Sequence, residues 1–342
     1  RKYRRLNVDD YADLYGVNPC CEVILRPLQF CNLTTNIIRE NDTLKTLFEK
    51  MRLSTIIGTL QSTLTNFRYL SPEWRKNCEE ERLLGVSLNG IMDHKYMAGL
   101  DFIRNGSYLV DEFMIDGVKT ELPDTLAALR DLAVDTNKEW ADKIGINPSA
   151  AITSIKPEGN NSNLVDCRPG LHGAHAKDFY IRTNRSNKVD RMGDFMVAKG
   201  VYTEDDITSP TSSRVLYFPV KVPDSAITRH DYTAIEHLKI WSIYQQHYCE
   251  HKPSITVSVK DREWLSVGAF VYENFDIMSG VAFLPFDGGN YRQAPYQECT
   301  REEWDALVAK TPSDIDWSQF SEDGDYTESS KEYACVGNVC TL

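Results

Sequence analysis

Three side chains with complementary chemistry alternate within five residues: Asn18, Cys20 and Glu22. If this segment is extended, alternate residues point to one face, so an amide, a thiol and a carboxylate would converge on one small site. Such a group offers a sulfur centre, a general base and a hydrogen-bonding orienter. The alternative is a turn at Pro19 with small buried thiols, and the spacing alone leaves both possibilities open.

Three further cysteines could take part in thiol chemistry. Cys31 lies eleven residues after Cys20, and taken alone it could equally be a buried apolar residue. Cys335 and Cys340 flank a glycine at the end of a polar tail, and two exposed thiols on a mobile arm suit disulfide exchange. The alternative for this pair is an incidental frayed terminus.

A turn rich in glycine and asparagine follows Lys156, and it consists of Pro157, Glu158, Gly159, Asn160, Asn161 and Ser162. Backbone amides of such a turn can bind a phosphate group. The turn matches neither a Walker loop nor a dinucleotide fingerprint, so an ordinary turn is the alternative. His172 and His175 could ligate a metal, but no carboxylate cluster accompanies them, and we expect them to pack within a loop.

The apolar patterns predict helices and strands that alternate around these residues. Helical spacing predicts helices at 44–51, 83–91, 123–133, 231–248 and 263–275. Short apolar or alternating runs predict strands at 150–155, 215–222, 254–259 and 281–284. Strands that alternate with helices indicate parallel pairing and an α/β fold.

The composition is that of a globular protein with a large core, since 42% of the 342 residues are hydrophobic and 26% are charged. The 38 Lys and Arg residues against 50 Asp and Glu residues give a net charge of −12, which argues against direct nucleic-acid binding. The sequence contains no apolar run of about 18 residues, so it predicts no membrane-spanning helix. The chain begins with Arg1 and has no signal-peptide pattern, so we expect a fragment or processed piece of a cytoplasmic protein.

Taken in order, several blocks resemble the large catalytic chain of ribonucleotide reductase, specifically the adenosylcobalamin-dependent class that acts on ribonucleoside triphosphates. The blocks are Gly16-Val17-Asn18-Pro19-Cys20, Phe30-Cys31-Asn32-Leu33, Arg82-Leu83-Leu84-Gly85-Val86, Lys156 to Val165, Gly170-Leu171-His172, Tyr180-Ile181-Arg182, Pro253 to Val257, Phe283-Leu284-Pro285 and Gln293-Ala294-Pro295-Tyr296. The resemblance implies an α/β fold, namely a ten-stranded α/β barrel of two five-stranded halves, and the N-terminal strands would be missing here. It implies a barrel portion at 1–312 with a finger loop at 16–25, and a flexible acidic arm with a redox pair at 313–342.

The resemblance also implies a role for each candidate residue. Cys20 would become the thiyl radical that removes the ribose 3′ hydrogen, Glu22 would accept the 3′-hydroxyl proton, and Asn18 would hold the ribose hydroxyls. Cys31 would be one of two thiols that end as a disulfide. The turn at 157–162 would bind the substrate phosphates.

The same resemblance implies the cofactor and the partners. Adenosylcobalamin would be the radical source, and a deoxynucleotide effector would bind in the upstream part. Cys335 and Cys340 would reduce the active-site disulfide again and be recharged by thioredoxin or a similar dithiol. The fragment alone would be inactive.

Three departures from the family pattern are visible. The partner of Cys31 would lie upstream of the present chain. Cys21 stands where the family commonly has glycine. Glu158 replaces a small residue, and its carboxylate should oppose phosphate binding unless it turns outward.

Other assignments remain open at this stage. A reductase that uses a separate metal-radical subunit would need a Tyr-Tyr relay, and no Tyr-Tyr dipeptide occurs in the chain. An inactive remnant would have no chemical need for the terminal thiol pair. A simple dithiol oxidoreductase would leave Asn18, Cys20 and Glu22 unexplained.

Overall fold

The computed structural model describes residues 14–286 and 291–321. The contacts divide the chain into two compact units. The first comprises the described residues up to 174 together with 225–286, and the second comprises 175–224 with the described residues after 290. Neither Cys335 nor Cys340 lies in the described residues.

The first unit is built on five extended segments that pair in parallel. The strands of this unit are β1 (Gly16–Val17), β2 (Ile24–Leu25), β3 (Asn32–Ile37), β4 (Leu84–Asn89), β5 (Met114–Ile115), β6 (Val118–Lys119), β10 (Ile255–Val259) and β11 (Val281–Pro285). β3 pairs with β4, and β10 pairs with β11, in both cases in parallel. Residues 153–155 join the two pairs through parallel bridges from Val86 to Thr153 and from Ile155 to Pro253.

Helices connect these parallel segments, because a parallel crossover needs a long connection. The helices of this unit are α1 (Leu44–Gln61), α2 (Pro72–Glu81), α3 (Lys95–Ala98), α4 (Leu100–Asn105), α5 (Leu122–Ile144), α6 (Asn161–Leu164), α8 (Ala234–His247) and α9 (Trp264–Glu273). α1 packs against β3, β4 and α5, α5 packs against α8, and α8 packs against β10 and α9. The core lies between this helical layer and the strands, where Leu84, Val86, Leu88, Val257 and Trp241 are all buried.

Local sequence signals fix the ends of several of these helices. Thr43 and Thr46 form a reciprocal capping box that begins α1, and Thr233 and Glu236 do the same for α8. Gly145 ends α5 in the left-handed conformation that glycine adopts without a steric penalty. The helices predicted at 44–51, 123–133, 231–248 and 263–275 are therefore found, with shifted ends.

The prediction of a helix at 83–91 is wrong, because residues 84–89 form strand β4. Leu84, Val86 and Leu88 enter the core, and the small or polar residues between them face the other side of the sheet. The apolar residues of this segment alternate with a period of two. Because every residue of the strand is buried, the contrast between its two faces is weak in the sequence.

The second unit contains an antiparallel sheet with strand order β12-β7-β9-β8. Its elements are β7 (Phe179–Asn187), α7 (Arg191–Ala198), β8 (Thr203–Asp205), β9 (Ser213–Lys221), β12 (Tyr296–Gln297) and α10 (Arg301–Lys310). The strand predicted at 215–222 is confirmed as β9, but its neighbours are antiparallel, so the inference of parallel pairing fails in this unit.

Residues 313–321 pack within the second unit, although the sequence predicted a flexible arm from 313 onward. The ring of Phe195 on α7 lies 5.7 Å from that of Trp317 and 5.4 Å from that of Phe320. The side chain of Lys199 also donates a hydrogen bond to Gln319. The described part of the arm is therefore anchored, and the remainder of the predicted arm lies outside the described residues. Within the described parts of the chain, no helix has the length and apolarity to cross a membrane.

Candidate active site

Cys20 lies at the tip of a β-hairpin. β1 and β2 pair antiparallel, and the backbone N–H of Cys21 donates to the carbonyl of Asn18 at 2.8 Å, which closes a four-residue turn. Pro19 occupies the second position of this turn, where its fixed φ is favourable. The Oδ1 of Asn18 accepts from the N–H of Val23 at 3.0 Å and closes the loop a second time. The segment is therefore a turn and not an extended strand, and it leaves Cys20 exposed.

Cys21 adopts a left-handed backbone conformation, with a φ of 62°. A non-glycine residue pays a steric cost of roughly 1–2 kcal/mol there. Glycine would adopt this conformation without that cost. The Cys21 sulfur also lies near Lys252: burial lowers the pKa of this lysine, and the nearby sulfur partly opposes that shift.

Glu22 is almost completely buried, with 1% of its surface exposed. Its backbone carbonyl accepts from the N–H of Lys252 at 3.1 Å, which fixes the position of the residue. Its carboxylate Oε2 has no hydrogen-bond partner among the described residues. A buried acceptor without a partner costs about 1–3 kcal/mol, so this carboxylate lowers the stability of the fold. Cys20 and Glu22 are thus close in the chain but differ sharply in exposure.

The hairpin is docked onto the parallel sheet through backbone and histidine contacts. The N–H of Ile24 donates to Nδ1 of His251 at 3.2 Å, so the proton of this imidazole lies on Nε2, which donates to the carbonyl of Leu84 at 3.0 Å. The carbonyl of Cys21 lies close to Gly280, where an added Cβ would be 3.2 Å away. Sequence reasoning missed His251 and Gly280, since neither residue stands in a motif with the hairpin.

A buried polar network holds the segment between the hairpin and Cys31. The Nε of Arg26 lies 3.3 Å from Oε2 of Glu81, and the Nε2 of Gln29 donates to the same oxygen at 2.7 Å. The N–H of Phe30 donates to the sulfur of Cys78 at 3.2 Å. These contacts tie residues 26–30 to α2, and they determine where Cys31 enters β3.

Cys31 lies on the face of the sheet opposite the helices. A Cβ added at Gly85 would lie 3.3 Å from the sulfur of Cys31 and 3.2 Å from Oγ of Ser154. Gly85, Ser87 and Asn89 alternate along β4 and therefore share this face. The Oγ of Ser87 accepts from the N–H of Lys156 at 2.9 Å. One two-residue step along β4, about 7 Å, therefore separates the Cys31 region from the start of the turn at 157–162.

The turn at 157–162 has its acidic side chain directed inward. Glu158 has a φ of 58° and is 4% exposed. Its Oε2 accepts from Nδ2 of Asn161 at 2.9 Å, and its Oε1 has no partner among the described residues. Gly159 and Asn160 are exposed, and Ser162 is buried. The condition under which this turn would tolerate a phosphate, a carboxylate directed outward, is not met.

Several buried polar atoms near these residues have no partner in the described parts of the chain. They are Glu22 Oε2, Asn89 Nδ2, Ser154 Oγ and Glu158 Oε1. Most buried polar groups in folded proteins are hydrogen-bonded, so each of these four atoms has capacity for a hydrogen bond to a bound molecule.

His172 has a structural role in the loop that follows the turn at 157–162. Its Nε2 accepts from the N–H of Thr256 at 3.0 Å, and its Nδ1 donates to the carbonyl of Pro169 at 3.0 Å. Both ring nitrogens are used, and burial lowers the pKa of the imidazole. His175 stacks on Tyr296 in the second unit, with ring centroids 5.5 Å apart. The expectation that these histidines pack within the structure agrees with these contacts.

The fold of the chain is similar to that of part of a solved ribonucleotide reductase. A solved B12-dependent (class II) ribonucleotide reductase matches 88% of this chain with a TM-score of 0.68 and 21% sequence identity, and the match covers 43% of that chain. At this level of identity the likeness establishes the fold, and the α/β class predicted from the sequence agrees with it.

Proteins of known name extend this resemblance over the whole chain. The adenosylcobalamin-dependent ribonucleoside-triphosphate reductase of Euglena gracilis is 25% identical over an alignment 339 positions long, which covers 97% of this chain and 43% of that protein. The enzyme of the same name from Lactobacillus leichmannii is 23% identical over a gapped alignment 371 positions long, which covers 100% of this chain and 48% of that protein. No family model matches the chain.

These matches confirm the resemblance that the motifs predicted, and the cofactor prediction agrees with the names of the relatives. The chain spans about half the length of the curated relatives it matches.

Proposed function

We propose that this chain carries the radical site of an adenosylcobalamin-dependent ribonucleotide reductase that acts on ribonucleoside triphosphates. The observation that carries the proposal is that one hairpin holds an exposed thiol, Cys20, and, two residues later, a buried carboxylate, Glu22, whose Oε2 has no partner among the described residues. The two side chains stand on one hairpin that is docked onto the parallel sheet. The names of the relatives support the reaction class.

The first steps of the proposed reaction use the hairpin. A thiyl radical on Cys20 takes the 3′ hydrogen atom of the ribose and becomes a thiol, which returns a hydrogen atom to C3′ in the last step and so becomes the radical again. The Oε2 of Glu22 accepts the proton of the 3′-hydroxyl and later gives it back, and one of the two reducing thiols supplies the proton with which the 2′-hydroxyl leaves as water. Asn18 has its Oδ1 committed to Val23, so its Nδ2 is the group that would hold a ribose hydroxyl.

Reduction then requires two electrons and two protons, which two thiols supply as they form a disulfide. Cys31 is one of them in this proposal, and its partner would come from the part of the protein that this chain does not span. A side chain at position 85 would approach the Cys31 sulfur to 3.3 Å, so glycine at this position keeps one further side chain away from the thiol.

The turn formed by Pro157, Glu158, Gly159, Asn160, Asn161 and Ser162 is proposed to bind the substrate phosphates. It follows the third parallel segment, and a ligand in an α/β fold commonly binds beyond the carboxyl ends of such strands. The inward carboxylate of Glu158 would have to rotate away for a phosphate to approach. Ser87 connects this turn to the Cys31 region through Lys156.

Cys335 and Cys340 are proposed to reduce the active-site disulfide and to be recharged by thioredoxin or a similar dithiol. The anchoring of Trp317 and Phe320 on Phe195 would set the pivot of this arm near residue 320. About 15 residues then separate the pivot from Cys335, with a maximal reach of roughly 50 Å. We also propose that a deoxynucleotide effector binds in the upstream part of the protein. The protein is proposed to act in the cytoplasm.

The residues on the hairpin fit a radical-generating cofactor in one respect: Cys20 is exposed at the tip, so a bound group can reach its thiol. When bound, adenosylcobalamin would supply the radical chemistry that removes the hydrogen atom of this thiol. The remaining cofactor surface would lie in the part that this chain does not span. The whole protein would form the ten-stranded barrel, and the five parallel segments described above would be one half of it.

The test is an anaerobic assay of this chain together with the remaining part of the protein, adenosylcobalamin, a ribonucleoside triphosphate and a dithiol. We expect a deoxyribonucleotide product and a thiyl-radical resonance that narrows when the cysteines are β-deuterated. Product formed only after addition of a metal-radical subunit would refute the cofactor assignment. Absence of product under both conditions would indicate an inactive remnant.

A further inference from the structure

Ser154 carries a buried hydroxyl that forms no hydrogen bond within the described residues. The residue is completely buried, and its Oγ has no partner there. Such a hydroxyl is unfavourable, because folding has removed its bonds to water without replacing them. The hydroxyl of the preceding residue differs, since Oγ1 of Thr153 donates to the carbonyl of Tyr248 at 2.6 Å and accepts from the N–H of Glu250 at 3.0 Å.

The strand register explains why these two neighbouring hydroxyls differ. The N–H of Ser154 donates to the carbonyl of Val86 at 3.2 Å, and Val86 and Thr153 are paired in parallel. Val86 points into the core, so Thr153 shares the side of the helices and Ser154 points to the opposite face. Gly85 and Cys31 lie on that same face. The unused hydroxyl therefore faces the region of the proposed reducing thiol.

The sulfur of Cys31 lies beside this hydroxyl. The position that a Cβ would take on Gly85 is 3.2 Å from Oγ of Ser154 and 3.3 Å from the sulfur of Cys31, so both atoms border the same small space. The third atom near this position, Cδ2 of Leu33, is apolar and cannot accept a hydrogen bond. Rotation about the Cα–Cβ bonds of the serine and the cysteine changes the separation of oxygen and sulfur without moving either strand.

We infer that the hydroxyl of Ser154 donates a hydrogen bond to the sulfur of Cys31 when this sulfur is a thiolate. A neutral thiol is a weak acceptor, whereas a charged acceptor forms a much stronger hydrogen bond. A hydrogen bond to the charged form favours that form, so Ser154 is a positioning residue that stabilises the ionised thiol. The serine keeps its own proton in this interaction.

This contact gives thiol–disulfide exchange at Cys31 a direction, and that role rests on the proposed function. When a dithiol reduces the active-site disulfide, its thiolate attacks one of the two sulfurs and forms a new S–S bond there. The old S–S bond breaks, and its electron pair goes to the other sulfur, which leaves as a thiolate and then takes a proton from water. A stabilised thiolate leaves faster. Ser154 therefore makes Cys31 the leaving sulfur, and the dithiol attacks the partner of Cys31.

The experiment measures alkylation of each cysteine of this chain by iodoacetamide as a function of pH, resolved by mass spectrometry. Ser154→Ala should move the pH midpoint of Cys31 upward by about 1 pH unit, so alkylation below the midpoint should be about 10-fold slower. The exposed thiol of Cys20 is the internal control, and its midpoint should not change. Ser258→Ala, at an exposed serine of β10, is the matched control variant and should leave the Cys31 midpoint unchanged.

Ser154→Ala removes a hydroxyl that has no described partner, so the variant should keep or exceed the urea midpoint of the unaltered chain. A purely structural role of Ser154 would change the alkylation rate of Cys31 at every pH and leave its midpoint in place, which would overturn the inference. An unchanged profile, or equal shifts for Cys20 and Cys31, would overturn it as well. The assay requires neither substrate nor cofactor, so failure of the proposed reaction would leave its result unchanged.

Discussion

Gly85 lies directly beside the sulfur of Cys31, because a Cβ at position 85 would approach this sulfur to 3.3 Å. The same Cβ would overlap Cδ2 of Leu33. Gly85 stands in β4 and Cys31 stands immediately before β3, so the parallel register of these strands creates the contact. The lack of a side chain at 85 therefore shapes the space around the proposed reducing thiol.

Gly85→Ala should destabilise the fold by about 1–3 kcal/mol, since the new methyl group must displace Leu33 or shift the strand. It should also slow the reaction of Cys31 with a thiol reagent. Urea denaturation and mass-resolved alkylation rates check both effects. Gly268→Ala is the control: its added Cβ meets open space within α9, so it should leave stability unchanged or raise it by up to about 1 kcal/mol. If the two variants had the same urea stability and the same alkylation rate of Cys31, Gly85 would not be confined by Leu33 and Cys31.

Position 21 should accommodate glycine better than a β-branched residue, because its φ is 62°. Cys21→Gly should be at least as stable as the unaltered chain, and Cys21→Val should be less stable than the glycine variant by about 2 kcal/mol. The comparison of urea midpoints for the two variants isolates the backbone effect. A valine variant as stable as the glycine variant would contradict a left-handed conformation at this position.

Replacement of Glu22 by methionine should raise the stability of the fold and lower the turnover of the enzyme. Glu22→Met removes a buried oxygen that has no partner in the part of the chain that the structure describes, so the free energy of unfolding should rise by about 1–3 kcal/mol. Loss of the general base should lower turnover by at least about 100-fold, and Glu22→Gln should share this loss. Denaturation and product assays on the same preparations provide the test. A destabilised methionine variant with normal turnover would remove Glu22 from the proposed site.

The stability of the fold should fall in mild acid because of His237. Burial, with a smaller contribution from His172, lowers the pKa of His237 to about 3, and an unfolded histidine titrates near 6.5. Between these values only the unfolded chain binds the proton, so stability is complete above about pH 6.5 and decreases as the pH falls. The loss between about pH 7 and pH 5 should be about 2 kcal/mol.

The variant His237→Gln separates this contribution from the other titrating groups. Its amide can still donate to the carbonyl of Leu171, which lies 2.8 Å from the imidazole nitrogen, but it carries no titrating proton. Urea denaturation at several pH values should show a shallower pH dependence for the variant. An unchanged slope would mean that His237 titrates normally in the folded protein.

The sequence predicted the elements whose patterns are local. The spacing of Leu44, Leu47 and Met51 indicated α1, and the capping threonines agree with its start. The segment at 84–89 was misassigned because its residues are buried on both faces, so hydrophobicity alone did not distinguish a strand from a helix. The period of two became visible only through the pairing with β3.

The candidate site was predictable where residues stand together in a motif, as Cys20 and Glu22 do. Its geometry depended on contacts between distant parts of the chain. Ile24 and His251 are 227 positions apart, and no local pattern connects them. The anchoring of Trp317 and Phe320 on α7 was also not predictable, because the acidic composition around them resembles that of a free arm.

The central claim is that Cys20 carries the radical, and the direct test compares Cys20→Ser with the unaltered protein in the complete anaerobic assay. A hydroxyl cannot sustain the radical, so the account predicts no deoxyribonucleotide above background and no thiyl resonance. The variant should still bind the ribonucleotide with unchanged affinity and keep the same urea midpoint, because Cys20 is exposed. Product formation by the serine variant above background would contradict the assignment of Cys20 and with it the proposed reaction.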